Sequence, residues 1–292
     1  MKTMIRFLDS LHDRIKKDRS VFILYSILRL MVVVALIRSI ILHHYESAAV
    51  CVLTLALFLI PSLLEEALKV KISPLFEGII YCFIFAAEIL GELENYYTKI
   101  PIWDTLLHTL NGFLFAAVGF VTVDLLNRNS KNVKLSPLYL TMVAFCFSMT
   151  IGVLWEFFEC GGDLFLGQDM QKDFIIQNFQ SVTLDPTRTQ QAIKVADVVK
   201  TQIFTASGKV FKIEGGYLDI GLLDTMKDLF VNFIGAIVFC IFGFIYLRSD
   251  SKKKLATTVV EGLRIEPVPV SGDAADETGS SAEQTADHSV GT

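Results

Sequence analysis

Six long apolar blocks constrain this chain more than any other feature of its sequence. Each block approaches the roughly 20 residues that an α-helix needs to cross the hydrocarbon core of a bilayer. Strand-like alternation is absent from them, and lipid cannot satisfy exposed backbone groups, so the blocks predict helices. The fold class is therefore predicted to be all-α, a polytopic transmembrane bundle of about six spans. The predicted spans are residues 21–43, 48–64, 74–93, 102–126, 137–160 and 227–247.

The composition of the chain agrees with a bilayer as its solvent. Hydrophobic residues make up 52% of the 292 residues. Charged residues make up only 20%, compared with roughly 25% in ordinary soluble domains. The formal net charge of -5 gives no general case for nucleic-acid binding. A collagen-like fibre and a disulfide-rich secreted scaffold are excluded on the same compositional grounds.

Lys and Arg residues in the short connections predict the orientation of the bundle. Residues 1–20 carry six of them, whereas residues 44–47 carry none and residues 94–101 carry only Lys99. Because positive charge accumulates on the cytoplasmic side, both termini are expected in the cytoplasm. The predicted location is the cell (inner) membrane, with the lipid bilayer as the immediate partner.

The polar segments divide the chain into five regions. Residues 1–20 predict a cytoplasmic amphipathic helix, because apolar and basic residues recur in it at helical spacing. Spans one to five occupy residues 21–160, and span six occupies residues 227–248. Between them, residues 161–226 form an extracytoplasmic α/β insertion. Residues 249–292 form a cytoplasmic tail that is mostly too polar to fold.

The insertion carries local signals of its own. A short helix is predicted over residues 174–179, and Asp185-Pro186 predicts a turn. Residues 201–205 and 210–213 flank a turn sequence, which predicts a β-hairpin. The pair Gly161-Gly162 predicts the end of the fifth span, which leaves the direction of the Asp163 side chain open.

Ionisable residues interrupt the spans at one predicted depth. Under the predicted orientation they lie at the outer end of four helices, and members three or four residues apart share a helix face. Charged groups at membrane depth normally face the bundle interior and mark a functional site. The residues are Glu88, Glu92, Asp104, His108, Glu156, Glu159, Asp163, Asp224 and Asp228, followed by Asn232.

These charges need an offsetting group. Glu88 and Glu156 lie near helix C-termini, where the macrodipole disfavours a carboxylate, so a bound cation, a proton or an arginine is required. Carboxylates with one imidazole suit a divalent metal, here Mn, Mg or Zn. The alternative is a structural polar network, and for Asp104 and Asp224 a favourable place at a helix N-terminus. The predicted metal ligands are Asp104, His108, Glu156 and Asp228.

The metal hypothesis assigns roles to the neighbouring polar residues. Candidate catalytic residues are Glu88, Glu159 and Asp224, which would orient ligands or act as a general base. Candidate substrate-binding residues are Asn232 and Arg38, which lies at a similar depth in the first span. Snorkelling to the lipid headgroups is the alternative for Arg38.

Four short motifs follow one another along the second half of the chain: Trp103-Asp104-Thr105-Leu106-Leu107-His108, Trp155-Glu156-Phe157-Phe158-Glu159, Asp224-Thr225-Met226-Lys227-Asp228 and Asn232-Phe233-Ile234-Gly235-Ala236. In this order they resemble the YjdF-like family of bacterial inner-membrane proteins. More distantly, the order D-x-x-x-H, E and D-x-x-x-N-x-x-G-A is similar to VanZ-like proteins. The resemblance covers roughly residues 79–244 and implies a multi-span membrane protein without a settled reaction. The insertion at 169–216 departs from the shorter connection that the resemblance implies.

Three functions are compatible with these features. The first is a metal-dependent, membrane-embedded hydrolase or transferase that acts on a lipid or envelope precursor. The second is a divalent-cation or proton-coupled transporter, although the cytoplasmic half shows no matching chain of polar residues. The third is a non-catalytic membrane scaffold or sensor whose insertion binds a partner.

Overall fold

A computed structural model of the protein describes most of the chain. Most of the predicted amphipathic segment at 1–20 and most of the tail at 249–292 lie outside the described residues. The described residues are 19–68, 70–129, 134–248 and 254–267.

Six helices are long and apolar enough to cross a membrane, which confirms the predicted class of a polytopic helical bundle. Their bounds agree closely with the apolar blocks of the sequence, although the fifth and sixth spans are longer than predicted. The spans are Arg19–Ile41, Tyr45–Ala67, Pro74–Leu93, Trp103–Arg128, Pro137–Leu166 and Leu222–Arg248.

The first half of the bundle consists of α1 (Arg19–Ile41), the broken second span α2 (Tyr45–Leu57) and α3 (Ile60–Leu68), and α4 (Pro74–Ile84). Helix α4 begins where its sequence predicts, because Ser73 Oγ accepts a hydrogen bond from the backbone N–H of Phe76. A proline in the first turn, where no N–H partner is needed, fixes the same start.

The C-terminal part of the third span is a π-helix rather than the predicted α-helix. This segment, π1 (Phe85–Leu93), contains an i to i−5 hydrogen bond from the N–H of Glu94 to the carbonyl of Ile89, at 3.0 Å. Glu88 is half-buried and Glu92 is exposed. The two carboxylates therefore differ in exposure, whereas on a regular α-helix two residues four positions apart would share one face. Such π segments are frequent at functional sites.

The second half of the chain supplies the helices that hold the polar residues. After the short α5 (Tyr96–Lys99) come α6 (Trp103–Asn129), α7 (Pro137–Gly161) and α8 (Leu222–Arg248). These last three helices pack on one another more extensively than any other group of elements. They form the centre of the described bundle.

Two glycines let α6 and α8 approach closely. A Cβ atom on Gly112 would lie 2.0 Å from the carbonyl oxygen of Asn232, and one on Gly235 would lie 2.0 Å from that of Thr109. Small residues permit this kind of backbone contact between membrane helices. The contact lies about one helical turn below the polar residues and fixes the spacing of the two helices that carry most of them.

An apolar core fills the bundle below that contact. Ala117 and Phe120 of α6 pack against Ala236 and Phe239 of α8, and all four are buried. The rings of Phe120 and Phe239 are 5.7 Å apart, in an edge-to-face arrangement. The polar residues are thus separated from the opposite end of the bundle by tightly packed hydrocarbon.

The predicted end of the fifth span at Gly161-Gly162 is wrong. Both glycines have right-handed helical backbone angles, and the helix continues as π2 (Gly162–Leu166). It stops at Gly167, whose φ of 65° is the left-handed conformation that ends helices.

Short strand pairs make up most of the regular structure in the insertion. The helix predicted over 174–179 is wrong, because its β-branched and aromatic residues pair with other strands. The predicted hairpin is confirmed: β5 (Lys200–Phe204) pairs with β6 (Val210–Glu214), with Thr201 opposite Ile213. The remaining antiparallel pairs are β2 (Ile175–Ile176) with β7 (Tyr217–Leu218), and β3 (Phe179–Ser181) with β4 (Ile193–Val195).

At the opposite end of the bundle, β1 (Val70–Ile72) pairs with β8 (Ile265–Pro267). Between the sixth span and β8, α9 (Lys254–Gly262) carries Val260, which is buried in the apolar core. These elements cap the end of the bundle that lies away from the insertion.

Candidate metal centre

His108 lies at the centre of a group of carboxylates contributed by three helices. Its Nε2 atom is 3.4 Å from Asp104 Oδ1 on α6 and 3.9 Å from Asp228 Oδ2 on α8. Its Nδ1 atom is 3.8 Å from Glu156 Oε1 on α7. The imidazole therefore has different carboxylates on its two nitrogen-bearing sides.

Most of these side chains are withdrawn from the surface. Glu156 is 4% exposed and Asp228 is 1% exposed, and His108, Glu159 and Asp224 are also buried. Ionised carboxylates at such burial require compensation. We refer below to the acidic cluster, which consists of Asp104, His108, Glu156, Glu159, Asp224, Lys227 and Asp228.

Two triplets within the acidic cluster have ligand atoms within 4.8 Å of one another, and both contain His108. One adds Asp104 and Asp228, and the other adds Glu156 and Glu159. Carboxylate oxygens and an imidazole nitrogen are suitable ligands for Mn, Mg or Zn. The cluster could therefore hold a metal ion.

Lys227 is a member of the cluster that the sequence analysis missed. Its ammonium group lies 2.8 Å from Asp224 Oδ1, 3.0 Å from Asp104 Oδ2 and 3.5 Å from Asp228 Oδ1. Its place three residues after Asp224 was the available signal, because that spacing puts both on one helix face. The chain thus supplies a cation to the aspartates of the cluster.

The glutamates of the cluster have no such cation among the described residues. Glu156 Oε2 is buried and makes no hydrogen bond within the described part of the chain. Glu159 Oε1 accepts a hydrogen bond from Trp155 Nε1 at 2.8 Å, one turn earlier on α7. Trp155 therefore orients one glutamate beside His108, while the other retains an unused buried oxygen.

Tyr97, on the short helix α5, lies at the edge of the acidic cluster. Burial raises the pKa of its phenol above the ordinary value, and the negative charges of Glu92, Asp104, Glu88 and Glu159 raise it further. The phenol consequently keeps its proton and remains a neutral hydrogen-bond donor. Its ring packs against π1, because a Cβ on Gly91 would lie 2.4 Å from it.

The remaining predicted site residues lie apart from the two triplets. Glu88 is half-buried on π1, on the side of the cluster where Tyr97 lies. Arg38 is exposed, and no ion pair within the described residues joins it to the cluster. Asn232 is 1% exposed and accepts a hydrogen bond from Asn111 Nδ2 at 3.1 Å. In this structure Asn232 joins helices one turn below the cluster.

The first residues of the insertion pass over the acidic cluster. The N–H of Lys172 donates to Asp224 Oδ2 at 2.8 Å, and the N–H of Gln171 donates to Asp163 Oδ2 at 2.9 Å. Asp163 therefore holds this loop and is not directed at His108 in any described contact. The side-chain amide of Gln171 also donates to Thr225 Oγ1. The loop thus encloses the cluster from outside the bundle.

Comparison with protein-family models gives a match that covers most of the chain. Residues 24–249 match the model of a family described as predicted membrane protein (DUF2238). The chain belongs to this family. The match covers all the helices of the acidic cluster, and its description names no activity. The resemblance to YjdF-like and VanZ-like proteins is not confirmed by it.

No curated protein and no solved structure matches the chain.

Proposed function

We propose that this member of the DUF2238 family is a metal-dependent hydrolase or transferase that acts on a lipid or envelope precursor. The observation that carries the proposal is the charge imbalance of the buried acidic cluster. Five carboxylates there face one lysine and one histidine. With all five carboxylates ionised and His108 protonated, three negative charges would lack a partner, and a divalent cation is a guest that such a site favours.

The positions of the charges favour one of the two triplets as the metal site. Glu156 Oε2 and Asp228 Oδ1 are both buried without a hydrogen bond within the described residues. Lys227 Nζ lies 3.5 Å from Asp228 Oδ1, however, whereas no described ammonium group compensates Glu156. We therefore assign the metal to His108, Glu156 and Glu159. This assignment makes Glu159 a ligand instead of the base expected from sequence, and it moves Asp104 and Asp228 from the ligand set to the surroundings.

Asp104 would then act as a positioning residue. Metal-binding histidines usually donate their second N–H to a carboxylate, which fixes the ring orientation. In this protein Asp104 lies on the Nε2 side of His108, opposite the Nδ1 side that faces Glu156. Lys227 in turn binds Asp104 and limits its movement.

The chemistry proposed for such a centre is the attack of water on a phosphoryl or acyl group. The metal would lower the pKa of bound water and polarise the oxygen of the substrate. A nearby carboxylate would accept the proton from water and return it to the leaving group. Tyr97, as a neutral donor at the edge of the cluster, would orient the substrate.

Transport is less well supported than catalysis. An ion path through the bundle requires polar groups along its length. Below the Asn111–Asn232 pair, an apolar core that includes Ala117, Phe120 and Phe239 fills most of the centre of the described bundle. A scaffold role would not explain why the cluster buries more negative than positive groups.

Metal analysis of the purified protein tests the proposal. The full chain is incubated with Mn²⁺, Mg²⁺ or Zn²⁺, passed through a desalting column and analysed by mass spectrometry. We expect one ion per chain in the wild type and its loss in His108→Ala, Glu156→Gln and Glu159→Gln. Asp104→Asn should retain the ion with an affinity reduced about 10- to 100-fold. Glu94→Gln, a change of an exposed glutamate, is the matched control for adsorbed metal.

A wild-type protein that binds none of the three ions would overturn the proposal. Equal binding by all variants would overturn the ligand assignment. Flux of the bound ion in proteoliposomes would indicate transport instead of catalysis.

A further inference from the structure

An apolar groove runs along the outside of the first, third and fourth spans. Its volume is about 660 Å³, which lies within the usual range for ligand-binding cavities. Its lining includes Leu24 of α1, Gly78 and Ala86 of α4 and π1, and Leu107 and Leu114 of α6. Nearly all its lining side chains are hydrocarbon.

The groove is long enough for an extended chain. Lining residues on the third span run from Pro74 to Ala86. At a rise of about 1.5 Å per residue, these twelve steps correspond to about 18 Å. One leaflet of a bilayer has a hydrocarbon thickness of roughly 15 Å. The groove therefore matches the length of a lipid chain.

One end of the groove lies next to the acidic cluster along α6. Two lining residues, Trp103 and Leu107, directly precede Asp104 and His108 on α6. Groove and cluster thus occupy adjacent faces of the same two helical turns. At this end Trp103 Nε1 is buried and makes no hydrogen bond within the described residues. It is a donor available to a polar group attached to the chain.

The apolar lining of the groove favours a hydrocarbon chain over a peptide as its ligand. A peptide in this groove would leave its backbone N–H and C=O groups without partners, at a cost of several kcal/mol per group. A hydrocarbon chain has no such groups and is supplied by the surrounding bilayer.

We propose that the groove binds the hydrocarbon chain of a lipid substrate and thereby holds its polar head at the acidic cluster. The inference rests on the proposed function and names its substrate class as a chain-bearing lipid. Bound in this way, a lipid would present its phosphoryl or ester group beside His108. Trp103 would donate to that head group.

Photo-crosslinking in reconstituted bilayers tests the inference. The probe is phosphatidylglycerol with a diazirine in its acyl chain, diluted into phosphatidylcholine vesicles that contain the full-length protein. Crosslinked peptides are mapped by mass spectrometry. We expect enrichment on residues 74–86 and 103–114, relative to Ile37 and Ile41, which are exposed on the lipid-facing side of α1.

Two variants that fill the groove provide the decisive comparison. Gly78→Phe places a ring in the groove from a position where a Cβ meets only Leu24 Cδ2, at 3.5 Å. Leu110→Trp fills it from α6 and serves if the first variant does not fold. Either change should reduce crosslinking at the groove about tenfold, which corresponds to about 1.4 kcal/mol. Gly78→Ala, the matched control, should retain the enrichment.

Metal binding is measured in the same preparations. Uniform crosslinking over all lipid-facing helices, in a wild-type protein that still binds its metal, overturns the groove inference alone. Enrichment at the groove in a protein that binds no metal overturns the proposed function while supporting the lipid site.

Discussion

Lys227 donates a hydrogen bond to Asp104 Oδ2 at 3.0 Å and thereby connects α8 to α6 across the acidic cluster. The same ammonium group binds Asp224 on its own helix at 2.8 Å. One lysine therefore links two helices by their first turns and offsets part of a buried negative charge. Because the lysine is attached to the chain, the aspartates are compensated whether or not a metal is bound.

The first prediction concerns the removal of this charge. Lys227→Met keeps most of the apolar stem but leaves three aspartates without their cation. Removal of one partner from a buried pair is strongly destabilising, but Lys227 is 34% exposed, so solvent screens part of the loss. We expect the free energy of unfolding to fall by about 2 kcal/mol, as measured by chemical denaturation in detergent micelles.

Two control variants distinguish the effect of the lost positive charge from the effect of the altered side chain. Lys227→Arg keeps the positive charge and should lose less stability than Lys227→Met. Lys209→Met removes an exposed lysine from the hairpin turn and should behave as wild type. Equal stability of Lys227→Met and the wild type would contradict the role of this lysine as the compensating cation.

The second prediction concerns the contact below the cluster. A Cβ at Gly235 would lie 2.0 Å from the backbone oxygen of Thr109, so Gly235→Ala must move α8 away from α6. Overpacking of this kind costs about 1–3 kcal/mol. Because α8 carries Lys227, which binds Asp104 beside His108, its displacement should also weaken metal binding. Thermal unfolding and metal titration measure the two effects.

The matched control is Gly78→Ala, which we do not expect to destabilise the protein. A Cβ at Gly78 would lie 3.5 Å from Leu24 Cδ2, an ordinary contact. Since alanine favours a helix over glycine by about 1 kcal/mol, Gly78→Ala should be neutral or slightly stabilising. A stabilising effect of Gly235→Ala would show that the two helices are not held as closely as the structure indicates.

The spans could be predicted from sequence because a bilayer imposes both length and composition on them. The residues of the acidic cluster could also be found, because carboxylates at membrane depth are costly and stand out in apolar blocks. His108 and Glu156 are examples: each interrupts a span, and spacing alone placed them at one depth. The sequence did not show that a lysine would compensate the aspartates of the cluster and leave the glutamates without a cation.

Three features needed the folded chain. From its sequence position, Lys227 is simply the first residue of the predicted sixth span. Its contact with Asp104 could not be predicted, because it depends on the packing of α6 against α8. The π-helical turn around Glu88 has no sequence signal of its own. The segment at 174–179 becomes strands through pairing with residues distant in sequence, and such tertiary contacts override local propensity.

The third prediction concerns the pH dependence of a loop in the insertion. Asp185 is buried, and hydrogen bonds from Thr187, Thr189 and Gln191 lower the pKa of its carboxyl to about 2. A lowered folded-state pKa stabilises the loop above the unfolded value of about 3.9. That stability is lost as the pH falls through about 2. We therefore expect the amide protection factors of this loop, which are exchange rates relative to the unfolded chain at the same pH, to be high at pH 7 and to fall selectively as the pH approaches 2.

A substitution isolates this carboxylate at neutral pH. Asp185→Asn leaves one acceptor oxygen where the carboxylate uses both, since Oδ1 accepts from the N–H of Thr187 at 2.9 Å and Oδ2 from that of Thr189 at 2.8 Å. Exchange over residues 185–191 should become severalfold faster. Asp197→Asn is the control, because Asp197 is exposed and asparagine tolerates its φ of 54°. Equal exchange in the two variants would count against the Asp185 prediction.

The fourth prediction concerns the orientation of a proposed metal ligand. Trp155 Nε1 donates to Glu159 Oε1 at 2.8 Å, and Trp155→Phe removes this donor while retaining an aromatic ring. Partners of metal ligands typically change affinity 10- to 100-fold, and for this single bond we expect about tenfold weaker binding by calorimetric titration. Trp103→Phe is the matched control, since Trp103 Nε1 makes no hydrogen bond to the described residues. If both variants bind the metal as the wild type does, the hydrogen bond from Trp155 does not position Glu159 for metal binding.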